Sequence, residues 1–138
     1  EMVALLSPNL RKLFEIISDE KSYPVLIHCK AGKDRTGLVC AILEKLLGFK
    51  DEEIMNDYLI TNTNVVNKYS GLINLFGFLS LGLLPSENIR SALTCRQEYL
   101  IASMQEIDSK YDGVTGYLAK NRVSEDLIDK FRAIMERE

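Results

Sequence analysis

Apolar positions recur at helical spacing through most of the chain, and the rhythm breaks clearly once. Leu10, Leu13, Phe14 and Ile17 fall three or four residues apart, and Ser7-Pro8 ahead of them offers an N-cap followed by proline at the first helical position. The spacing predicts a helix from there to the polar run Ser18-Asp19-Glu20-Lys21-Ser22. Pro24-Val25-Leu26-Ile27-His28 has a different character: it is short, continuous and β-branched, which reads as a buried strand. From Thr36 the helical period returns. Leu38, Val39, Cys40, Ala41, Ile42, Leu43, Leu46 and Leu47 leave little polar face, so this helix belongs in the interior, with Gly48 as its C′ residue. Asp51-Glu52-Glu53 puts acids in the first turn of the next helix, with Ile54, Met55, Tyr58 and Leu59 on its inner side. Further helices are expected from Glu87 to about Tyr111, continuous or interrupted, around Val114 to Lys120, and from an N-cap at Ser124 to the end.

This pattern contains one strand and about six helices. A lone buried strand leaves its backbone N–H and C=O groups unpaired on both sides, which is costly. Its sheet partners are therefore expected outside this chain, in a natural protein that continues N-terminally; a start at Glu1 rather than Met fits that view. The fold class expected is α/β, mostly helical here, with residues 1–138 as the C-terminal part of a single domain and its N-terminal sheet strands missing. Length favours one domain or a large piece of one.

Composition narrows the function. Hydrophobic residues at 46% and charged residues at 27% describe an ordinary globular chain. A net charge of −3 argues against a generic nucleic-acid binder. No apolar run is long enough to span a bilayer, and no signal peptide is visible. The greasiest stretch, Leu72–Leu84, is broken by Gly77 and Gly82 and stopped by Pro85. It reads as a core helix or lid, or as a patch for self-association. Cys29, Cys40 and Cys95 match no zinc spacing, so they are expected as reduced thiols, with no metal and no cofactor. The compartment is left open, with the cytoplasm favoured and secretion still allowed.

The segment His28-Cys29-Lys30-Ala31-Gly32-Lys33-Asp34-Arg35-Thr36-Gly37 lies between the predicted strand and the predicted helix. Amides of a tight loop that opens a helix converge on an anion, and the helix dipole adds to them. The same positive field lowers the pKa of a thiol at the loop's start; a fall to roughly 5 would raise the thiolate fraction at pH 7 about 30-fold. Arg35 adds a planar fork for two phosphate oxygens. Nucleophile, amide ring and guanidinium are together what phosphoryl transfer requires. The chance of this residue set arising in such a chain is about 1 in 10,000, so a structural cysteine before a glycine turn is the weaker reading.

HCKAGKDRTG resembles the signature loop of cysteine-dependent protein phosphatases. Its GKDRTG form is similar to that of the atypical tyrosine/dual-specificity phosphatases, some of which act on phosphoinositides. Asp57-Tyr58-Leu59, Glu98-Tyr99-Leu100, Tyr111-Asp112-Gly113 and Gly116-Tyr117-Leu118 resemble later landmarks of that family. The resemblance implies a cysteine-phosphatase-like fold and hydrolysis of phosphotyrosine, extending to phosphoserine, phosphothreonine and phosphoinositides, through a phosphocysteine intermediate. It implies Cys29 as nucleophile, Arg35 as phosphoryl clamp, Thr36 as hydroxyl donor to the departing thiolate and Asp34 as candidate general acid. His28 would order the loop. Lys30, Ala31, Gly32, Lys33 and Gly37 would complete the phosphate site, with the two lysines facing inositol ring phosphates. Partners are then a phosphoprotein or phosphoinositide, and a phosphate or sulfate anion in the loop. The residues leave alternatives open: Asp34 as a loop-ordering carboxylate paired with a lysine, Thr36 as an N-cap, and the whole chain as a non-catalytic phosphate-binding fragment or pseudophosphatase. A rhodanese-like sulfur transferase also uses a cysteine loop, but it does not require the Arg35-Thr36 pair.

Overall fold

Helix-period apolar stripes fold here into a helical assembly, seen in a computed structural model that describes residues 1–30, 32–60, 62, 71, 75, 79 and 94–137. Helix α1 is Met2–Ile17, α2 is Asp34–Leu46, α3 covers residues 51–60, α4 is Gln97–Tyr111, α5 is Gly113–Lys120 and α6 is Glu125–Met135. A single 3-10 turn, Glu20–Ser22, follows α1.

The first helix starts earlier than Ser7-Pro8, which lies inside it. An interior proline forfeits a ladder bond and costs about 3 kcal/mol in an isolated helix. Tertiary contacts hold the turn ahead of it. Val3 is fully buried, and its carbonyl accepts hydrogen bonds from the Tyr117 hydroxyl at 2.6 Å and from Ser7 Oγ at 3.2 Å. Burial of Leu10, Phe14 and Ile17 continues the same stripe onto α6, where Phe14 meets Phe131 edge-on with ring centroids 6.1 Å apart.

Helix α2 is central, as its apolar circumference predicts: Leu38, Val39, Ala41, Ile42, Leu43 and Leu46 are buried. Gly48 takes φ +86 just beyond it, the left-handed backbone expected of a C′ glycine. The last-turn carbonyl of Leu46 accepts a bond from Arg132 Nε at 2.9 Å, which ties α6 to the end of α2. Helix α3 buries Ile54 and Tyr58, and Met55 and Leu59 pack partly against the core. Helices α4 and α5 meet at a tight corner. Asp112 and Gly113 turn it with φ +59 and φ +88, and a Cβ on Gly116 would collide with the Tyr111 carbonyl. Ser124 stands at the N-cap of α6, as predicted.

One expectation is adjusted, and two others fall wholly or partly outside the described residues. Residues 25–29 are not helical and belong to no strand, and no strand occurs among the described residues. The segment keeps the alternation of a strand, with Val25 and Ile27 against the core and Leu26 84% exposed. A strand exists through its ladder, and none of the described neighbours offers one. Of the stretch expected to be helical from Glu87 to about Tyr111, Gln97–Tyr111 is one helix, residues 94–96 are irregular, and 87–93 lie outside the described residues. Leu72–Leu84 also lies outside them apart from Leu75 and Leu79, both helical and exposed. Among the described residues, no helix is long and apolar enough to cross a membrane.

Candidate active site

Two local features shape the Cys29–Gly37 turn. Gly32 adopts φ +64, a left-handed backbone that a side chain would strain. Lys33 then serves as the N-cap of α2, so Asp34, Arg35 and Thr36 form the helix's first turn rather than the end of a free loop. The first intrahelical bond runs from Gly37 N–H to the Lys33 carbonyl at 2.7 Å. By helix geometry the amides of Asp34, Arg35 and Thr36 precede it and point beyond the helix end, where the dipole is positive.

The candidate residues fall into distinct environments. Cys29 is half-buried, and none of the three cysteines is in a disulfide. His28, Lys30, Gly32 and Arg35 are exposed. Ala31 lies outside the described residues. The Lys33 side chain is only 13% exposed and pairs with Asp34 Oδ2, Nζ to O 3.6 Å. Thr36 Oγ1 is buried without a hydrogen-bond partner, so the hydroxyl–thiolate bond implied by the resemblance is not formed in this structure.

Asp34 is held from two sides. Tyr58, reaching over from α3, donates its hydroxyl to Asp34 Oδ1 at 3.2 Å. The Tyr58 ring lies flush against Gly37, where any Cβ would fall inside it. That close approach, more than helix–helix packing in general, explains the glycine. Burial pushes the Tyr58 phenol well above its ordinary value; the Cys95 side chain and Asp34 beside it act in the same direction. Tyr58 is therefore a protonated donor at any working pH. Cys95, buried, is fixed through its backbone by Asn62, with Cys95 N to Oδ1 at 2.5 Å and Nδ2 to Cys95 O at 2.9 Å.

Beneath the turn is a cavity of about 70 Å³ whose walls include Lys33, Thr36, Gly37, Cys40, Glu44, Asp57 and Tyr58. Burial raises the Glu44 carboxyl to about 7, helped by the charge of Asp57 and a hydrogen bond with it. Burial also raises the Cys40 thiol, and Glu44 and Asp57 add to the rise. Cys40 thus lines a polar cavity as well as packing into the helix. On its other side Asp34 borders a groove of about 360 Å³, walled by Met2, Leu5 and Tyr99 and closed by Glu106. Among the described residues, no cluster of three or more His, Cys, Asp or Glu side chains could hold a metal.

Sequence reasoning missed the network around Asp34. Tyr58 was expected only on an inner helix face, Cys95 carried no signal, and Asn62 and Glu44 were not singled out. Only the Asp57-Tyr58-Leu59 landmark pointed towards it.

Residues 1–136 match the profile of a tyrosine phosphatase family. The chain is 32% identical over 120 residues to the triple specificity protein phosphatase PtpB of Mycobacterium tuberculosis, covering 81% of this chain and 44% of that protein. It is 39% identical over 54 residues to a tyrosine-protein phosphatase of Nostoc commune, covering 39% of this chain and 18% of that protein. It is 38% identical over 56 residues to the inositol diphosphatase DSP2 of Arabidopsis thaliana, covering 41% and 22% respectively. The matched part spans less than half the length of each of these relatives.

Proposed function

The chain belongs to the tyrosine phosphatase family, and from that premise we propose that it hydrolyses phosphate monoesters through a phosphocysteine intermediate on Cys29. One observation supports the reading: the segment that carries Cys29 and Arg35 runs into the N-terminus of the buried helix α2, whose first intrahelical bond is donated by Gly37. Cys29 sulfur attacks phosphorus in line, the amides and the Arg35 guanidinium hold the equatorial oxygens, and Asp34 protonates the departing oxygen. Water then cleaves the P–S bond. Thr36 would rotate its hydroxyl towards the leaving sulfur at that stage. In the wider fold, residues 25–29 would form a strand of an α/β sheet, and residues 1–138 the C-terminal part of one catalytic domain.

Substrates are proposed as phosphotyrosine first, with phosphoserine, phosphothreonine and phosphoinositides as further classes. The names of the mycobacterial and plant relatives support that breadth. Of the two lysines, exposed Lys30 is better suited than Lys33 to meet an added ring phosphate, because Lys33 is engaged by Asp34.

The test is phosphate release from para-nitrophenyl phosphate by the full natural protein and by Cys29→Ser. Turnover lost in Cys29→Ser with phosphate binding retained is the expected result. Equal turnover by both forms rejects the nucleophile. Binding without turnover in either form marks the alternative, a phosphate-binding module without catalysis.

A further inference from the structure

We propose that Tyr58 is the positioning residue for Asp34: its hydroxyl occupies Oδ1 and thereby makes Oδ2 the oxygen that exchanges a proton with the leaving group. This inference rests on the reading of Asp34 as general acid.

Three observations support it. The Tyr58 hydroxyl lies 3.2 Å from Asp34 Oδ1, while Oδ2 has Lys33 Nζ at 3.6 Å, beyond hydrogen-bond length. The two carboxyl oxygens are thus unequal, one tied to a neutral donor and the other beside the largely buried Lys33 ammonium. Second, Tyr58 is itself immobile. It is 5% exposed, its ring is seated on Gly37, and its hydroxyl also meets the Cys95 side chain. Third, the Asp34 side chain is 31% exposed and borders the groove walled by Leu5 and Tyr99, so its far side is open to a substrate while Tyr58 backs the near side.

As the Cys29 sulfur forms its bond to phosphorus, the P–O bond to the leaving group breaks, and the proton on Asp34 Oδ2 passes to that oxygen. Asp34 is left as a carboxylate whose Oδ1 keeps the Tyr58 hydrogen bond, which strengthens as charge develops. Tyr58 touches neither substrate nor phosphate and acts only through Asp34.

A double-mutant cycle on the full natural protein tests this, with Tyr58→Phe, Asp34→Asn and the pair assayed on phenyl phosphate and para-nitrophenyl phosphate. Tyr58→Phe keeps the ring against Gly37, and a thermal melt checks that it folds. Its kcat should fall about tenfold on the poor leaving group and less than about twofold on the good one. Its basic limb in the kcat profile should move to higher pH, because a carboxylate that loses a donor is harder to form. In the Asp34→Asn background, Tyr58→Phe should add less than about twofold. Replacing Tyr58 with 3-fluorotyrosine, a stronger donor of nearly the same shape, should move the basic limb to lower pH. Equal losses on both substrates, multiplicative losses in the pair, or an unmoved limb overturn the proposal. If Cys29→Ser turns over like the natural protein, the phosphatase reading fails and this inference falls with it. If Cys29→Ser is dead and the cycle is multiplicative, only the role of Tyr58 fails.

Discussion

Arg35 and Lys30 illustrate how differently two exposed cations can act within one turn. A guanidinium fork grips two oxygens of a phosphoryl group, whereas an ammonium offers a point charge. Arg35→Lys should therefore lower kcat/KM by roughly 100-fold on every substrate, as loss of a donor to the transition state does; unchanged kinetics would remove Arg35 from the site. Lys30→Ala should weaken turnover of inositol phosphates several-fold more than that of phosphotyrosine peptides. Equal losses on the two substrate classes would reduce Lys30 to general charge steering. Gly37→Ala is a third test at this scale. The added methyl would enter the space of the Tyr58 ring, so an overpacking loss of about 1–3 kcal/mol is expected in chemical denaturation. The turn stood out in the sequence, because its Cys29, Gly32, Arg35 and Thr36 are adjacent enough to form one motif. The Tyr58–Gly37 contact could not, since it joins residues on separate helices.

At the scale of elements, the seam between α2 and α3 carries a pair of carboxyls, Glu44 and Asp57. Only the shared cavity, with Cys40, Lys33, Thr36 and Tyr58 around it, brings them together. Glu44 titrates near 7 in the folded protein against 4.5 as its ordinary value. Between those values the folded protein retains a proton that the unfolded chain has released. Stability should thus fall as pH rises from about 5 to about 7.5 and level off above. The full linkage is at most about 3 kcal/mol; solvent screening of this partly buried group brings it nearer about 1 kcal/mol. Urea denaturation at pH 5, 6, 7 and 8 measures it, and Glu44→Gln should flatten the profile. A natural protein whose stability is flat over that range, or a Glu44→Gln profile that keeps its slope, rules the pair out as the source. Helical period and first-turn acids were enough to locate α2 and α3 in the sequence. The start of α1 was not legible, because Pro8 imitates a helix start and only the Val3–Tyr117 contact extends the helix beyond it.

Across the whole molecule, distant parts are joined by a few polar bonds between carbonyls and side chains. Tyr117 reaches Val3, Ser18 Oγ donates to the Leu127 carbonyl at 2.7 Å, and Arg132 meets Leu46. Tyr117→Phe removes the donor from a buried carbonyl and should cost about 1–2 kcal/mol in denaturation. A null effect would mean that Ser7 Oγ alone satisfies Val3. The proposed α/β architecture belongs to this scale as well. If residues 25–28 pair within a sheet of the full natural protein, their amides should resist hydrogen exchange as strongly as those of α2; exchange at loop rates would exclude the strand. The sequence by itself located most of the helical segments and the signature turn, and it is the source of the proposed nucleophile, clamp and acid, because periodicity and loop motifs act over a few adjacent residues. Only the tertiary structure decided that Asp34 is held by Tyr58, that Glu44 meets Asp57 and that Pro8 lies inside a helix. Those outcomes depend on packing between residues far apart in the chain, which no local pattern encodes.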